Sequence, residues 1–309
     1  MTRARRWAIL VAGPADGAIS IRDSGRPKEC DDRRMMEDQF PGRGRLLHID
    51  RAWQEERTPV EYESAFTVAD FTKNLEAVQQ RIDHAAQSVG RDPADVRLLP
   101  VSKTVSEERI RNAITAGCTR LGENKVQEAK RKHAALVDTD VEWAIIGHLQ
   151  TNKAKDVAAF AGEFHALDRL RVAEALDRRL QMLGRRLDVY VQVNTSGEES
   201  KFGLEPDEVL DLLVGLKGFE TLRVRGLMTL AIFTDEKERV RKCFQTLRRV
   251  RDEVRDRDPD LIGPGELSMG MSGDFELAIE EGSDVVRVGQ SIFGKRPTKD
   301  SDYWPDSGQ

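Results

Sequence analysis

LDVYVQVN, residues 187–194, carries apolar side chains on both faces of an extended chain. DVVRVG, residues 284–289, repeats that pattern about a hundred residues later. A strand with one face in water would alternate apolar and polar residues, whereas a parallel strand covered by helices is apolar on both sides. These two runs therefore predict a parallel sheet enclosed by helices.

Working outward from these runs, short β-rich segments alternate with helical patterns along the chain. The predicted strands are 96–103, 119–123, 142–147, 163–167, 187–194, 222–229, 266–269 and 284–289. Eight units of strand followed by helix are typical of a single (β/α)8 TIM barrel. An open doubly wound sheet is the alternative fold.

The predicted barrel begins near Val68, where the chain changes character. From Val68 onward Phe71, Leu75 and Val78 recur at helical spacing, and Gly90 ends the segment. Residues 1–65 show no sustained apolar period, so we interpret them as a disordered extension or a mis-assigned start, with a GTG valine codon at Val68 as the second possibility. We place the barrel at 66–298 and a flexible tail at 299–309.

Composition excludes several classes of protein. Of the 309 residues, 39% are hydrophobic and 33% are charged, which predicts a water-soluble chain without membrane spans. A net charge of −5 leaves no general basic surface for nucleic acid. Three scattered cysteines, Cys30, Cys118 and Cys243, fit a reducing compartment better than a disulfide framework, so we expect a cytoplasmic protein.

Lys103 ends the predicted first strand, VRLLPVSK, and the last two strands are followed by glycine-rich loops. The carboxyl ends of barrel strands carry function, and the loops after strands seven and eight commonly hold phosphate. If Leu99, Val101 and Lys103 share the inward face, the amine lies at the end of the barrel that faces those loops. An amine opposite a phosphate loop is typical of a pyridoxal phosphate (PLP) site, because the uncharged amine forms an imine with the aldehyde.

Arg287 interrupts an otherwise apolar strand. A buried guanidinium requires a partner, which is either a ligand or a carboxylate of the protein. The loop SMGMSGD, residues 268–274, could bind an anion or serve only as a helix start.

Other chemistry lacks a motif. His148 and His165 do not have the spacing of a metal site, and we predict no metal. The sequence contains no GxSxG elbow, Walker loop or GxGxxG after a strand, which argues against hydrolase, nucleotidase and dinucleotide-enzyme functions.

Together these segments resemble a known family. LLPVSKTVSEERI, RLGENKVQEA, WAIIGHLQTNK, FHALDRLRVAEAL, VNTSGEESKFGL, VRGLMTL, LSMGMSGDFELAI and VVRVGQSIFG are similar, in order, to segments of the YggS/PROSC family of PLP homeostasis proteins. The resemblance covers residues 68–296. It implies one barrel like the amino-terminal domain of alanine racemase, with PLP bound to Lys103 as an imine.

The resemblance also implies roles for single residues. Asn124 would lie beside the cofactor and Arg287 near its pyridine nitrogen, and the phosphate would be held by Ser268, Gly270, Gly289 and Gln290. Three positions depart from the family pattern: Ala144 replaces a common histidine, Gln290 replaces a frequent small hydroxyl residue, and Pro100 lies inside the first strand, where a local bulge could shift Lys103.

Two functions remain open. Racemisation requires a second acid/base opposite Lys103, and the tyrosines of the chain are Tyr62, Tyr190 and Tyr303, none of which belongs to a second domain. We therefore expect a monomeric protein without catalytic residues that stores PLP and passes it to apoenzymes. A PLP-dependent racemase-like enzyme is the alternative.

Overall fold

In the computed structural model, residues 63–198 and 200–295 are described, and they form one parallel barrel surrounded by helices. The strands are β1 (Arg97–Pro100), β2 (Arg120–Glu123), β3 (Glu142–Ile145), β4 (Glu163–Leu167), β5 (Leu187–Gln192), β6 (Leu222–Met228), β7 (Glu266–Ser268) and β8 (Val285–Val288). All eight predicted strands are present, and their neighbours are hydrogen-bonded in the order β1-β8-β7-β6-β5-β4-β3-β2. The barrel prediction is confirmed, and the open sheet is excluded because β1 pairs with β8.

Helices connect the strands. They are α1 (Val68–Ser88), α2 (Glu107–Thr115), α3 (Val126–Ala135), α4 (Ala154–Phe160), α5 (Leu170–Leu183), α6 (Val209–Leu216), α7 (Lys237–Arg257), α8 (Phe275–Glu280) and α9 (Gln290–Phe293). Short 3-10 turns lie at Pro93–Asp95, Thr151–Lys153, Pro206–Glu208 and Pro259–Leu261.

α1 covers the barrel wall as its sequence pattern predicts. Phe71, Val78 and Ile82 are buried on one face. The helix begins with a capping box, in which the Thr67 hydroxyl accepts from the Asp70 amide and the Asp70 carboxylate accepts from the Thr67 amide. Gly90 follows the helix end with φ +73°. Glycine suits this position because the left-handed conformation is unfavourable for other residues.

The seam between β1 and β2 closes the barrel wall with little backbone pairing. One bridge, Val101 to Gly122, joins the two sides, with the Ser102 amide donating to the Gly122 carbonyl at 3.0 Å. Gly122 suits this contact, since a Cβ there would lie 3.3 Å from a Val101 methyl carbon.

Pro100 lies at this seam. Its register with Val288 is continuous, so the bulge that could have shifted Lys103 is not present. Val101 donates to β8 and Ser102 to β2, so by alternation the nitrogen of residue 100 faces β2. Between β1 and β2 no hydrogen-bond ladder precedes the Val101–Gly122 bridge, so the missing N–H of proline removes no ladder hydrogen bond.

Membrane spans are not found among the described helices, since none is long and apolar enough to cross a bilayer. The proposed extension and tail fall almost entirely at 1–62 and 296–309, which lie outside the described residues.

Candidate functional site

The carboxyl-terminal end of the barrel collects the residues that the sequence predicted. Lys103 follows β1 and Asn124 follows β2, while Ser268 ends β7 and Gly289 follows β8. Parallel strands place all of these positions at one end, since every carboxyl terminus points the same way.

Lys103 lies in a turn rather than in a strand, which corrects the prediction that the first strand extends to 103. β1 ends at Pro100, and the next residue after the lysine, Thr104, has φ +66°. Half-buried Lys103 lines a small pocket together with Gly289 and Gln290. The structure therefore brings the predicted amine and two of the predicted phosphate residues to the same surface.

The two glycine-rich loops are joined by a hydrogen bond. The Gly289 amide donates to the Ser272 hydroxyl at 3.1 Å, linking the loop after β8 to the loop after β7. Helix α9 then starts at Gln290, and its first amides have no acceptor within the helix. These N–H groups can donate hydrogen bonds to an anion at this position.

Gly270 is required by the shape of the first loop. Its φ is +96°, and an added Cβ would lie 2.7 Å from Ala278 Cβ and 2.9 Å from Phe275 Cα. Its carbonyl accepts from the Arg287 amide at 3.0 Å. The glycine thus lets the loop pack against α8 while staying attached to β8.

Asn124 is held against the end of β3. A Cβ at Gly147 would lie 2.4 Å from Asn124 Oδ1 and 2.2 Å from its carbonyl oxygen. Glycine at 147 therefore leaves the space that the half-buried Asn124 side chain occupies.

Arg287 lies inside the barrel, with 3% of its surface exposed. Its guanidinium donates to Ser268 Oγ and to the Thr229 carbonyl, both at 2.7 Å. Within the described residues it forms no ion pair, so the carboxylate partner considered from the sequence is not there. Burial lowers the pKa of Arg287 to about 10, against the attraction of Asp274.

Ser268 and three other residues form an interior hydrogen-bond chain along the barrel axis: Arg287, Ser268, His165 and Glu163. His165 Nδ1 lies 3.0 Å from Ser268 Oγ, and His165 Nε2 lies 2.7 Å from Glu163. The hydroxyl of Ser268 is therefore bound to protein groups, and any contact of this residue with a phosphate would involve its backbone.

The electrostatics fix the direction of this chain. Burial favours the neutral form of Glu163, but the hydrogen bond of His165 and the positive charges of Arg97 and Arg120 outweigh it, so its pKa falls to about 2. Burial also lowers the pKa of His165, which favours its neutral form. Because an ionised Glu163 only accepts, His165 carries its proton on Nε2, accepts from Ser268 on Nδ1, and leaves Ser268 Oγ to accept from Arg287.

Two groups of residues were not singled out from the sequence. Ser291, directly after Gln290, has a buried hydroxyl with no hydrogen-bond partner within the described residues. The sequence did contain a signal, since the family that the chain resembles frequently has a small hydroxyl residue at the neighbouring position 290. Lys132, Glu123 and Glu128 form a buried network behind Lys103, and nothing in their spacing distinguished it from ordinary helix charges.

A separate cavity of about 620 Å³ opens at the amino-terminal end of the barrel. Its charged residues are largely paired with one another, as Arg97 is with Glu163 and Arg225 with Glu266. Tyr190 also lies here, donating its hydroxyl to Glu266 and stacking on His165 with ring centroids 4.1 Å apart. Internal pairing explains these charges without a ligand.

Comparison with known proteins identifies similar sequences. Residues 73–297 match the family model described as alanine racemase, N-terminal domain. The pyridoxal phosphate homeostasis protein of Aquifex aeolicus is 41% identical over 224 residues, which are 72% of this chain and 97% of the relative. That of Escherichia coli is 40% identical over 233 residues, which are 74% of this chain and 97% of the relative.

Solved structures are also similar to this chain. PipY of Synechococcus elongatus with PLP bound is 33% identical, with a TM-score of 0.65, and the match covers 72% of this chain and all of PipY. Alanine racemase from Streptomyces coelicolor has a TM-score of 0.58 at 17% identity, covering 75% of this chain and 60% of that one. The second likeness concerns the fold alone.

Proposed function

Because this chain belongs to the family of pyridoxal phosphate homeostasis proteins, we propose that it binds PLP at the carboxyl-terminal end of its barrel, as an imine of Lys103. The observation that carries the proposal is the pocket shared by Lys103, Gly289 and Gln290. A ligand with an aldehyde on one side and a phosphate on another can engage both walls at once. PipY, whose whole length matches 72% of this chain, has been solved with PLP bound.

The phosphate would be held by the loops after β7 and β8, through Gly270, Gly289 and Gln290. Two features support an anion there. The first amides of α9 have no acceptor in the helix, and the buried hydroxyl of Ser291 has no partner among the described residues. A phosphate oxygen could accept from both, since it is a strong acceptor. Ser268 would contribute backbone contacts, and Asn124 would lie beside the ring.

Arg287 would face the pyridine nitrogen of the ring. It is buried, and its two partners are the neutral oxygens of Ser268 and Thr229. A buried cation whose hydrogen bonds go only to neutral groups, with Asp274 attracting it without a direct contact, suits a ligand that presents an acceptor or an anionic group to it.

We further propose that the protein carries PLP and does not catalyse a reaction on it. Racemisation requires a second base that can exchange a proton on the far side of the cofactor. Tyr190 is unsuited, because burial and its hydrogen bond to Glu266 raise its pKa far above the ordinary value, and it lines the cavity at the amino-terminal end of the barrel, the end opposite Lys103. Tyr62 and Tyr303 lie outside the described residues.

A reversible imine suits storage and delivery. It would limit the concentration of free aldehyde and release PLP to apoenzymes on demand. A monomer acting in the cytoplasm belongs to the same proposal; the described cysteines, Cys118 and Cys243, are buried and form no disulfide within the described residues, which fits a reducing compartment.

The test compares wild type with Lys103→Ala. Wild-type protein reconstituted with PLP should absorb in the visible range, and borohydride should fix the cofactor on Lys103, as peptide mass analysis would detect. Lys103→Ala should fold normally and stay colourless, whereas Lys130→Ala, which removes an exposed lysine, should behave like wild type. A wild-type protein that does not bind PLP would refute the proposal.

Catalysis is tested separately. Wild type with PLP should not exchange the α-proton of added amino acids for deuterium at a catalytic rate. Rapid exchange, monitored by proton NMR, would instead favour the racemase-like enzyme.

A further inference from the structure

A buried ionic network lies directly behind the turn that carries Lys103. Lys132, on α3, has a side chain with 0% exposure. Its Nζ donates to Glu123 Oε1 at 2.8 Å, to Glu128 Oε1 at 2.7 Å and to the Ser102 carbonyl at 2.7 Å. We call Lys132, Glu123 and Glu128 the Lys132 network.

The Lys132 network contacts both peptide groups that flank Lys103. The Ser102 carbonyl belongs to the peptide bond before Lys103 and accepts from Lys132. The Thr104 amide belongs to the peptide bond after it and donates to Glu128 Oε1 at 2.7 Å. Fixing both peptide planes fixes φ and ψ of Lys103, and therefore the direction in which its side chain leaves the backbone.

The turn has one backbone hydrogen bond of its own, from the Val105 amide to the Ser102 carbonyl at 3.0 Å, and side chains add further support. Backbone pairing at the seam consists of a single bridge, Val101 to Gly122. Thr104 adopts φ +66°, a conformation that costs a non-glycine residue about 1 kcal/mol or more unless its surroundings hold it. The bond from the Thr104 amide to Glu128 supplies such a restraint.

Stability alone explains the Lys132 network poorly. Removing a lysine and a glutamate from water is costly, and well-packed aliphatic residues often serve a core equally well. Glu123 Oε2 also has no hydrogen-bond partner within the described residues, which an arrangement serving stability alone would avoid. The Ser102 hydroxyl and Lys132 both bind the other oxygen, Oε1.

We propose that Lys132 is a positioning residue, which acts through the Ser102 and Thr104 peptides to aim the Lys103 amine at the aldehyde of the ligand. This inference rests on the proposed function. It predicts a selective defect, because positioning matters for a ligand that bonds to Lys103 and much less for one held only by its ring and phosphate.

The experiment measures two ligands on full-length protein. PLP can form the imine, whereas pyridoxine 5'-phosphate has the same ring and phosphate but a hydroxymethyl group in place of the aldehyde. Lys132→Met should weaken PLP binding at least tenfold and slow imine formation, while the affinity for pyridoxine 5'-phosphate changes less than twofold. Absorbance titration and calorimetry give the two dissociation constants.

Two further variants complete the experiment. Lys130→Met removes the exposed lysine two residues earlier on α3, 61% of whose side chain is exposed, and should match wild type for both ligands. Glu128→Ala breaks the Thr104 contact and leaves the pair of Lys132 and Glu123 intact, so it tests the inference even if Lys132→Met fails to fold. It should show the same selective loss of PLP.

The outcomes are distinct. Equal weakening of both ligands in Lys132→Met and Glu128→Ala would mean a merely structural role, and unchanged PLP binding in either folded variant would mean no role in positioning. Both results overturn the inference while wild type still binds PLP. A wild type that binds no PLP would refute the proposed function, and the inference with it.

Discussion

Gly270→Ala should destabilise the barrel and weaken PLP binding together. The new Cβ would be placed 2.7 Å from Ala278 Cβ and 2.9 Å from Phe275 Cα, so the loop or α8 must move. The backbone φ of +96° adds strain, because alanine disfavours that region by roughly 1–2 kcal/mol. Overpacking against α8 adds about 1–3 kcal/mol.

Together these costs predict a loss of about 2–5 kcal/mol in the free energy of unfolding. Movement of the loop would also displace its link to Arg287, whose amide donates to the Gly270 carbonyl. PLP affinity should therefore fall as well. Urea denaturation gives the free energy, and absorbance titration gives the dissociation constant.

Gly273 supplies a matched control in the same loop. A Cβ there meets no atom within 4 Å, and its φ lies outside the left-handed region. Gly273→Ala should change stability by less than about 1 kcal/mol, in either direction. The reasoning is refuted if the two variants are equally stable, or if Gly273→Ala is the more damaged of the two.

Two other predictions concern acid sensitivity and the start of the domain. The pKa of Glu163 is lowered to about 2 from an ordinary value of ~4.3, so at pH values above ~4.3 its ionised form stabilises the fold by on the order of 3 kcal/mol. This stabilisation is lost as the pH falls from about 5 towards 2. Glu163→Gln should therefore flatten the pH dependence of the free energy of urea unfolding in this window, and an unchanged slope would contradict the assignment. A chain beginning at Val68 should have a free energy of unfolding about 1–3 kcal/mol lower than one beginning at Glu63. The shorter chain lacks the Thr67 cap and the Ala65 carbonyl, which accepts from Arg109 at 2.7 Å. Equal urea midpoints would show these contacts to be dispensable.

The barrel could be predicted from sequence because its strands are short runs that are apolar on both faces. β4 has the predicted bounds, and α1 buries Phe71 and Ile82 as its spacing requires. Strand ends were less predictable. Pro100 was the one unusual residue in VRLLPVSK, but its position does not show that β1 stops there, since the turn at Thr104 depends on an acceptor, Glu128, from α3, which follows β2.

The candidate site was predictable where a residue is unusual for its position. Arg287 stood out because a charged residue in an apolar strand needs a partner, although its bond to Ser268 could not be read from the sequence. Lys132 did not stand out, because it follows Lys130 and Arg131 in a charged stretch of an amphipathic helix. Only the packing of α3 against the β1–β2 seam separates the buried Lys132 from the exposed Lys130.

The interior hydrogen-bond chain constrains how this protein can diverge. Each of its four members is buried, and each bond runs in one direction from Arg287 to Glu163. Replacing one member leaves the next without a donor or acceptor in a place that water cannot easily reach. Drift at these positions should therefore be concerted: across homologous barrels the four side chains are expected to covary as a unit, while the loops around the barrel end accumulate substitutions one at a time.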